Sequence, residues 1–263
     1  MGILNVTPDS FAEAQPLTSP GRAIAAALEM EADGADLIDI GGESTRPGAG
    51  PVAADEEIAR ILPVVEGLHG RLRIPISIDT YKSAVADAAL GAGAVMVNDV
   101  SGLLYDAELA GVVVARRAAL VLMHTRGRSR VMYEEASYQD VAGEVAAELR
   151  AGVDRATAAG VPIDGILVDP GLGFAKRSEH SYGVLARLPE IAAALNRPVL
   201  IGPSRKSFMR EAAGGRAAPE RDWTTAAAVT AAVLNGAHIV RVHAVAGMAQ
   251  VVRTAEAIRR AQD

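Results

Sequence analysis

Val199-Leu200-Ile201-Gly202-Pro203-Ser204-Arg205-Lys206-Ser207-Phe208 is a short apolar run, stopped by glycine and proline, that opens into a polar turn. Continuous apolarity over so few residues reads as a strand buried on both faces. Pro203 and the two serines suit the first turn of a helix. Free N–H groups at a helix start, with Lys206 beside them, make an anion site. The next run, Gly236-Ala237-His238-Ile239-Val240-Arg241-Val242-His243, also ends in cations. Arg241 and His243 are two residues apart, so in a strand both leave the same face. One such end would be a surface loop with a cap; two in succession point to a phosphate or carboxylate.

The same unit recurs along the chain. Apolar runs lie at residues 2–4, 36–40, 74–78, 94–97, 119–123, 165–168, 198–201 and 238–242. Between them the spacing is helical. Ile58, Ile61, Leu62, Val65 and Leu68 follow the i, i+3, i+4, i+7 rule, with Asp55 as the expected N-cap and Pro63 expected to kink the helix. The Ala-rich segments 21–31 and 139–159 suit helices packed on a sheet. In the last helix Val251, Val252, Ala255 and Ile258 mark the expected buried stripe. Gly34, Gly93, Gly160 and Gly236 sit where helix C-caps are needed, just before the next strand. Eight strand–loop–helix units in 263 residues predict an α/β fold, a (β/α)8 TIM barrel, as one domain spanning 1–263. A doubly wound open sheet is the alternative, but Asn5-Val6-Thr7-Pro8-Asp9 after the first run is not its Gly-rich fingerprint.

Composition narrows the function. At 50% hydrophobic content the chain can bury a large core. A net charge of −6 gives no general affinity for nucleic acid. The sequence has no cysteine, so thiolate chemistry and disulfides are excluded. Met1-Gly2-Ile3-Leu4-Asn5 does not read as a signal peptide, and no apolar run of roughly 18 residues predicts a membrane span. The expectation is a soluble cytoplasmic protein. Aromatics make up 3%, too few for binding by stacked rings.

In a barrel the long loops 6–20, 41–51, 124–138 and 204–223 would all crowd the C-terminal face. Loops of this length without structure of their own are usually functional; the first two are expected to be mobile lids. Nearly every apolar run also ends in a polar side chain: Asn5, Asp39, Asp79, Asn98 with Asp99, His124, Asp169, and Arg241 with His243. Taken alone, Asp39, Asp99 or Asp169 would be a turn former or cap. His69 and His180 read as surface residues, Glu56-Glu57 as a solvated helix start, and the 126–130 arginine cluster as an exposed loop. The set Asp79, Asn98, Asp169, Lys206, Arg241 and His243 is different, because a barrel brings all six to one rim.

Carboxylates and an amide accept N–H donors from a planar amino-heterocycle. Lys206, Arg241 and His243 suit an anion. Asn5, with Thr7 and Asp9 nearby, offers oxygens for a hydrated Mg²⁺ that shares phosphate oxygens. No His/Cys cluster suggests zinc, and no nucleophile elbow is present. These residues fit group transfer from a phosphorylated heterocycle, with cations and a metal stabilising a departing diphosphate.

Met-Gly-Ile-Leu-Asn-Val-Thr-Pro-Asp-Ser-Phe at 1–11 resembles the opening signature of the dihydropteroate synthases. So do Asp39-Ile40-Gly41-Gly42-Glu43-Ser44-Thr45-Arg46-Pro47-Gly48, Ser77-Ile78-Asp79-Thr80-Tyr81-Lys82 and Asn98-Asp99-Val100-Ser101-Gly102. Asp169-Pro170-Gly171-Leu172-Gly173-Phe174, Ser204-Arg205-Lys206-Ser207 and Arg241-Val242-His243 complete the set in family order. The resemblance implies condensation of 6-hydroxymethyl-7,8-dihydropterin diphosphate with 4-aminobenzoate to 7,8-dihydropteroate and diphosphate, in folate biosynthesis. In that family the diphosphate leaves first and the amine attacks a pterin-stabilised cation.

Carried over by residue, Asp79, Asn98, Asp169 and Lys206 would hold the pterin, with Met123 beneath it. Arg241 would stack on the ring and meet phosphate, near His243 and Thr45. Asn5 would order Mg²⁺. Ser207 would receive the aminobenzoate carboxylate, in a pocket shaped by Arg46, Pro47, Phe11 and Phe174. Lys206, Arg241, His243 and Asp79 would be the catalytic groups. The resemblance also implies a homodimer and a sulfonamide target.

The chain departs from the family at three places. Ala244 follows Arg-Val-His where an acidic residue is common. Ala12-Glu13-Ala14-Gln15-Pro16 replaces a Ser-Asp-Gly-Gly continuation. Ala175 stands before Lys176 where glycine is common, a methyl group expected to matter little. Two other readings stay open at this point: a methyl-folate:corrinoid methyltransferase, which has no use for a diphosphate site, and a pterin-binding barrel without activity.

Overall fold

The structure, a computed structural model, describes residues 1–7, 19–44, 50–127, 133–134 and 136–261. The eight apolar runs all form parallel strands: β1 (Gly2–Asn5), β2 (Ile38–Gly41), β3 (Ile76–Asp79), β4 (Met96–Asp99), β5 (Ala119–Met123), β6 (Ile166–Asp169), β7 (Leu200–Ile201) and β8 (Ile239–Val240). The helices among the described residues are α1 (Pro20–Ala32), α2 (Ala54–Leu68), α3 (Ser83–Gly91), α4 (Leu109–Arg116), α5 (Val141–Ala158), α6 (Ser178–Ala186), α7 (Leu188–Leu195), α8 (Asp222–Leu234) and α9 (Val245–Arg260).

Strands β1 to β6 pair in chain order, and β7 pairs with β8. Bridges Val168↔Val199 and Gly2↔Val242 join the two sheets at both edges. The circle is closed, so the barrel reading holds and the open doubly wound sheet does not.

Alternation sorts the side chains. Ile38, Ile40, Ile78, Val97, Leu120, Leu122, Ile166 and Val168 face outward and pack with the helices in one large cluster. Each such side chain is worth roughly 1.5–3 kcal/mol on full burial. Met1, Leu37, Val121 and Leu200, backed by Met96, Leu167 and Ile239, form a second cluster that plugs the lower barrel. The same inward parity continues upward through Asn5, Asp39, Asp79, Asn98, Met123, Asp169 and Arg241. The register places Asn5 beside Gly41, Gly41 beside Asp79, Asp79 beside Asn98, and Met123 beside Asp169. The polar rim is thus one level of a continuous inward face.

The helix-end glycines behave as their positions predict: Gly34, Gly93, Gly160 and Gly236 all have left-handed φ, from +91° to +119°. Other local expectations need correction. Helix α2 starts from Ala53 rather than Asp55, which lies in its first turn. Glu57 is not solvated. It is 1% exposed and its carboxylate meets Lys82, because the helix rotates it inward against Lys82 and Glu43. In α9 the buried residues are Val245, Met248 and Ala255, while Ile258 is exposed. Val251 and Val252 are half-buried against the same core, so the expected stripe holds up to Ala255 and fails at Ile258.

The largest correction concerns the segment after β7. No α-helix begins at Ser204–Ser207. Ser207–Met209 is a single 3-10 turn, and α8 starts only at Asp222. Arg205 has φ +59°, which breaks helical continuation at that residue. An anion site built on a helix dipole there is therefore lost; the cations carry the attraction instead.

Candidate active site

A cavity of about 470 Å³ opens at the C-terminal mouth of the barrel. Its walls include Asn5, Asp79, Asn98, Met123, Asp169, Phe174, Lys206, Ser207, Arg241 and His243. Every sequence-predicted site residue within the described segments lines this one space. Thr45, Arg46, Pro47 and Phe11 lie outside the described residues, as do Asp9 and most of the two expected lids. Glu43, Ser44, Thr7, Tyr133, Arg205 and Arg221 also line the wall; sequence reading assigned no ligand role to Glu43, Ser44, Tyr133 or Arg221.

The floor is a charged knot. Arg241 donates from Nε to Asp39 Oδ2 at 2.6 Å and from Nη2 to Asp79 Oδ2 at 2.7 Å. Asn98 Nδ2 donates to the same Asp39 oxygen at 2.9 Å. Asp39, read from sequence as a turn former, is wholly buried and orients the guanidinium. Its inward parity, shared with Asp79 one strand over, was the signal that could have found it. Asp99 does take the turn-former role, accepting from Ser101 and Leu103.

One guanidinium facing two carboxylates leaves a negative charge over. Burial first, then repulsion from Asp39 and Glu57, raises Asp79 to about 7, against the pull of Arg241. Asp169 is raised too, chiefly by burial. Arg241 is raised above its ordinary value by Asp39 and Asp79, which outweigh its desolvation. Asp79 Oδ1 has no hydrogen-bond partner among the described residues. In a cavity wall that is an acceptor waiting for an N–H, or, near neutral pH, a donor waiting for a ring nitrogen.

On the opposite wall, Asp169 caps its own turn through Gly171 N at 2.7 Å. Gly171 has φ +69°, and a Cβ there would collide with the carbonyl of His124, so glycine is required. Lys206 Nζ donates to Leu172 O at 2.6 Å and lies 4.6 Å from the Phe174 ring centre. Burial lowers Lys206 to about 8, with Asp169 resisting and Arg241 assisting, so the ammonium remains the main form at neutral pH. Ser204 Oγ bonds His243 Nδ1 at 2.9 Å and accepts from its backbone N–H at 3.1 Å. Ala244 offers α9 no side-chain cap; Ser204 supports the imidazole instead of an acidic neighbour. His124 points away from the cavity to Glu148 and Lys176. Arg126 is not a loose loop residue, since it bridges Glu144, Glu148 and the Ser137 carbonyl.

A closed parallel barrel whose mouth joins N–H acceptors to cations is built for an anionic heterocycle, and residues 1–243 match the family profile described as pterin binding enzyme. That sets the class. The chain is 45% identical to a dihydropteroate synthase of Synechocystis over 260 residues, covering 99% of this chain and 90% of that one. A crystal structure of the Yersinia pestis dihydropteroate synthase with a sulfonamide drug complex superposes with a TM-score of 0.94 at 36% identity, covering 99% of this chain and 93% of that one. The Burkholderia cenocepacia dihydropteroate synthase complexed with 7,8-dihydropteroate gives a TM-score of 0.89 at 41% identity, covering 100% and 91%. The chain belongs to the dihydropteroate synthase family.

Proposed function

We propose that this cavity holds 6-hydroxymethyl-7,8-dihydropterin diphosphate and condenses it with 4-aminobenzoate, giving 7,8-dihydropteroate and diphosphate. The observation that carries the residue roles is the division of one cavity between Asp79, Asn98 and Asp169 on one hand and Lys206, Arg241 and His243 on the other. The acids and the amide receive the ring's N–H groups. Met123 supplies the apolar face beneath the ring. Lys206 sits beside Asp169's wall and balances its charge as the ring binds.

In the chemical step the methylene C–O bond breaks and its electron pair leaves with the diphosphate. The amine nitrogen then bonds to the methylene carbon and loses a proton. Arg241 and His243 attract the growing negative charge. Arg241 is held in place beforehand by Asp39 and Asp79, so little reorganisation is needed at the barrier. Ser207 and Phe174 border the space left for 4-aminobenzoate, with Arg46, Pro47 and Phe11 assigned to it by family resemblance and Thr45 assigned to the phosphate side near Arg241 and His243.

Asn5 and Thr7 line the cavity with oxygens, and no cluster of three or more His, Cys, Asp or Glu able to hold a metal occurs among the described residues. That donor set suits Mg²⁺, which binds through one or two protein oxygens and keeps its waters and phosphate. Held by Asn5, the ion would supply charge neutralisation to the diphosphate. We also propose that residues 1–263 act as one domain, in a cytoplasmic homodimer; light scattering and fractionation test the last two.

The test of the reaction is diphosphate release from the pterin diphosphate with Mg²⁺ present. Release that requires 4-aminobenzoate is the expected result. Tight pterin binding without turnover would indicate an inactive barrel, and turnover only with methyl-folate and a corrinoid partner would indicate a methyltransferase.

A further inference from the structure

Lys176 is among the largest wholly buried side chains of the protein. Among the described residues no carboxylate lies within ion-pair distance of it. Its Nζ instead meets three acceptors: His124 Nδ1 at 2.7 Å, Gly171 O at 3.2 Å and Phe174 O at 3.2 Å. His124 Nε2 lies 3.0 Å from Glu148 Oε2, and Arg126 holds Glu148 in turn. The hydrogens count out. An ammonium gives one proton to each acceptor, while His124 donates from Nε2 to Glu148. Moving the Nζ proton to Nδ1 leaves every contact satisfied. Burial lowers both groups, with Lys176 adding to it at His124, which falls to about 4, and Lys206 and Arg126 adding to it at Lys176, so the pair does not hold two charges.

What this group holds is the loop after β6. Gly171, Gly173 and Ala175 all have left-handed φ, so the loop has no regular ladder to satisfy its backbone. Side chains do it instead. The carbonyls of five successive residues are each taken: Gly171 and Phe174 by Lys176, Leu172 by Lys206, Gly173 by Tyr133 and Ala175 by Tyr138. Lys176 alone spans the loop, gripping both its start and its far end. The start is anchored to Asp169, the end carries Phe174, and the carbonyl between them fixes Lys206.

We propose that Lys176, aligned by His124 and Glu148, is a positioning residue of the reaction, locking the 171–175 loop so that Asp169, Phe174 and Lys206 keep their places around the pterin. The proposal rests on the pterin reading of the cavity. Nothing in it requires Lys176 to touch substrate: its stem and head are sealed behind the loop.

The test uses the full chain and the equilibrium dissociation constant of pterin diphosphate, measured by calorimetry without 4-aminobenzoate. Lys176→Met keeps the stem and removes the donors. Its Kd is expected to rise about tenfold or more, since sub-ångström misplacement of binding groups is costly. Two histidine variants separate positioning from mere filling of space. His124→Asn puts an oxygen near the Nδ1 position and should keep Kd within about threefold of wild type. His124→Gln places its polar end toward Glu148, loses the bond to Lys176, and should weaken binding as Lys176→Met does. Unchanged binding in Lys176→Met, or a loss in His124→Asn equal to that in His124→Gln, overturns the proposal. If Lys176→Met does not fold, the two histidine variants decide it on the same readout. Failure of the wild-type chain to bind pterin diphosphate would overturn the functional reading instead.

Discussion

Replacing Asp39 by asparagine keeps the shape of the floor and removes one charge. Asp39 Oδ2 takes Arg241 Nε at 2.6 Å and Asn98 Nδ2 at 2.9 Å, with the acid fully buried and Arg241 17% exposed. A hydrogen bond to a charged partner is worth about 1.5–3 kcal/mol, and the neutral amide keeps only part of that. With the guanidinium free to swing from its aimed position, kcat/KM for pterin diphosphate should fall about 10–100-fold, at ~1.4 kcal/mol per tenfold.

The same change alters the charge balance. In the wild type Asp79 rises from 3.8 to about 7, so between about pH 4 and 7 the native state binds more protons than the unfolded chain. Stability from this group is therefore greatest at the acid end and declines as pH rises through about 7. In Asp39→Asn, Arg241 faces Asp79 alone, one source of repulsion is gone, and Asp79 titrates lower. The decline should shift to lower pH and shrink. Urea unfolding at a series of pH values from 4.5 to 8, alongside steady-state kinetics, reads both effects. Wild-type kcat/KM together with an unshifted stability profile would refute the account of the floor.

Three further outcomes are expected. Lys206, lowered to about 8 by burial, should lose its charge in the mildly alkaline range, so KM for pterin diphosphate climbs above about pH 8; a flat KM from pH 7 to 9.5 would remove Lys206 from ring binding. Ala175 holds φ +47°, a conformation costing an L residue about 1–2 kcal/mol, against about 0.4–1 kcal/mol of added unfolded-state entropy for glycine. The Ala175 methyl is also fully buried, worth about 0.8 kcal/mol, so Ala175→Gly should change stability by less than about 1 kcal/mol in urea unfolding, and a loss of about 2 kcal/mol or more would contradict the strain. Lys82→Ala strands Glu57, which is 1% exposed and already raised by burial. A loss of about 3–5 kcal/mol is expected for breaking a buried pair, with a change under 1 kcal/mol counting against it.

Ala175 shows where motif reading stops. As a departure from the family's glycine it looked like one added methyl; only the backbone angle reveals that the methyl sits on a left-handed residue. Lys82 and Glu57 are similar. Their pairing depends on how α2 rotates against the turn after β3, and spacing along one helix carries no information about the partner that faces it.

Eight apolar runs, period two at their ends and glycine at the helix stops were enough to specify the barrel, its chain order and most of the rim. These are local properties: alternation and capping act over a few residues, and eight repeats without a Gly-rich fingerprint after the first strand favoured the closed barrel over an open sheet. Asn5, Asp79, Asn98, Asp169, Lys206, Arg241 and His243 could be read as one site because each ends a strand or begins the loop after one. The tertiary fold alone decided the rest. It set Asp39 against Arg241 across 202 positions of sequence, replaced the expected helix at Ser207 with a 3-10 turn, and buried Lys176 behind the loop it holds. Charge pairing inside a barrel depends on distances between strands far apart in the chain, and those exist only after the sheet has closed.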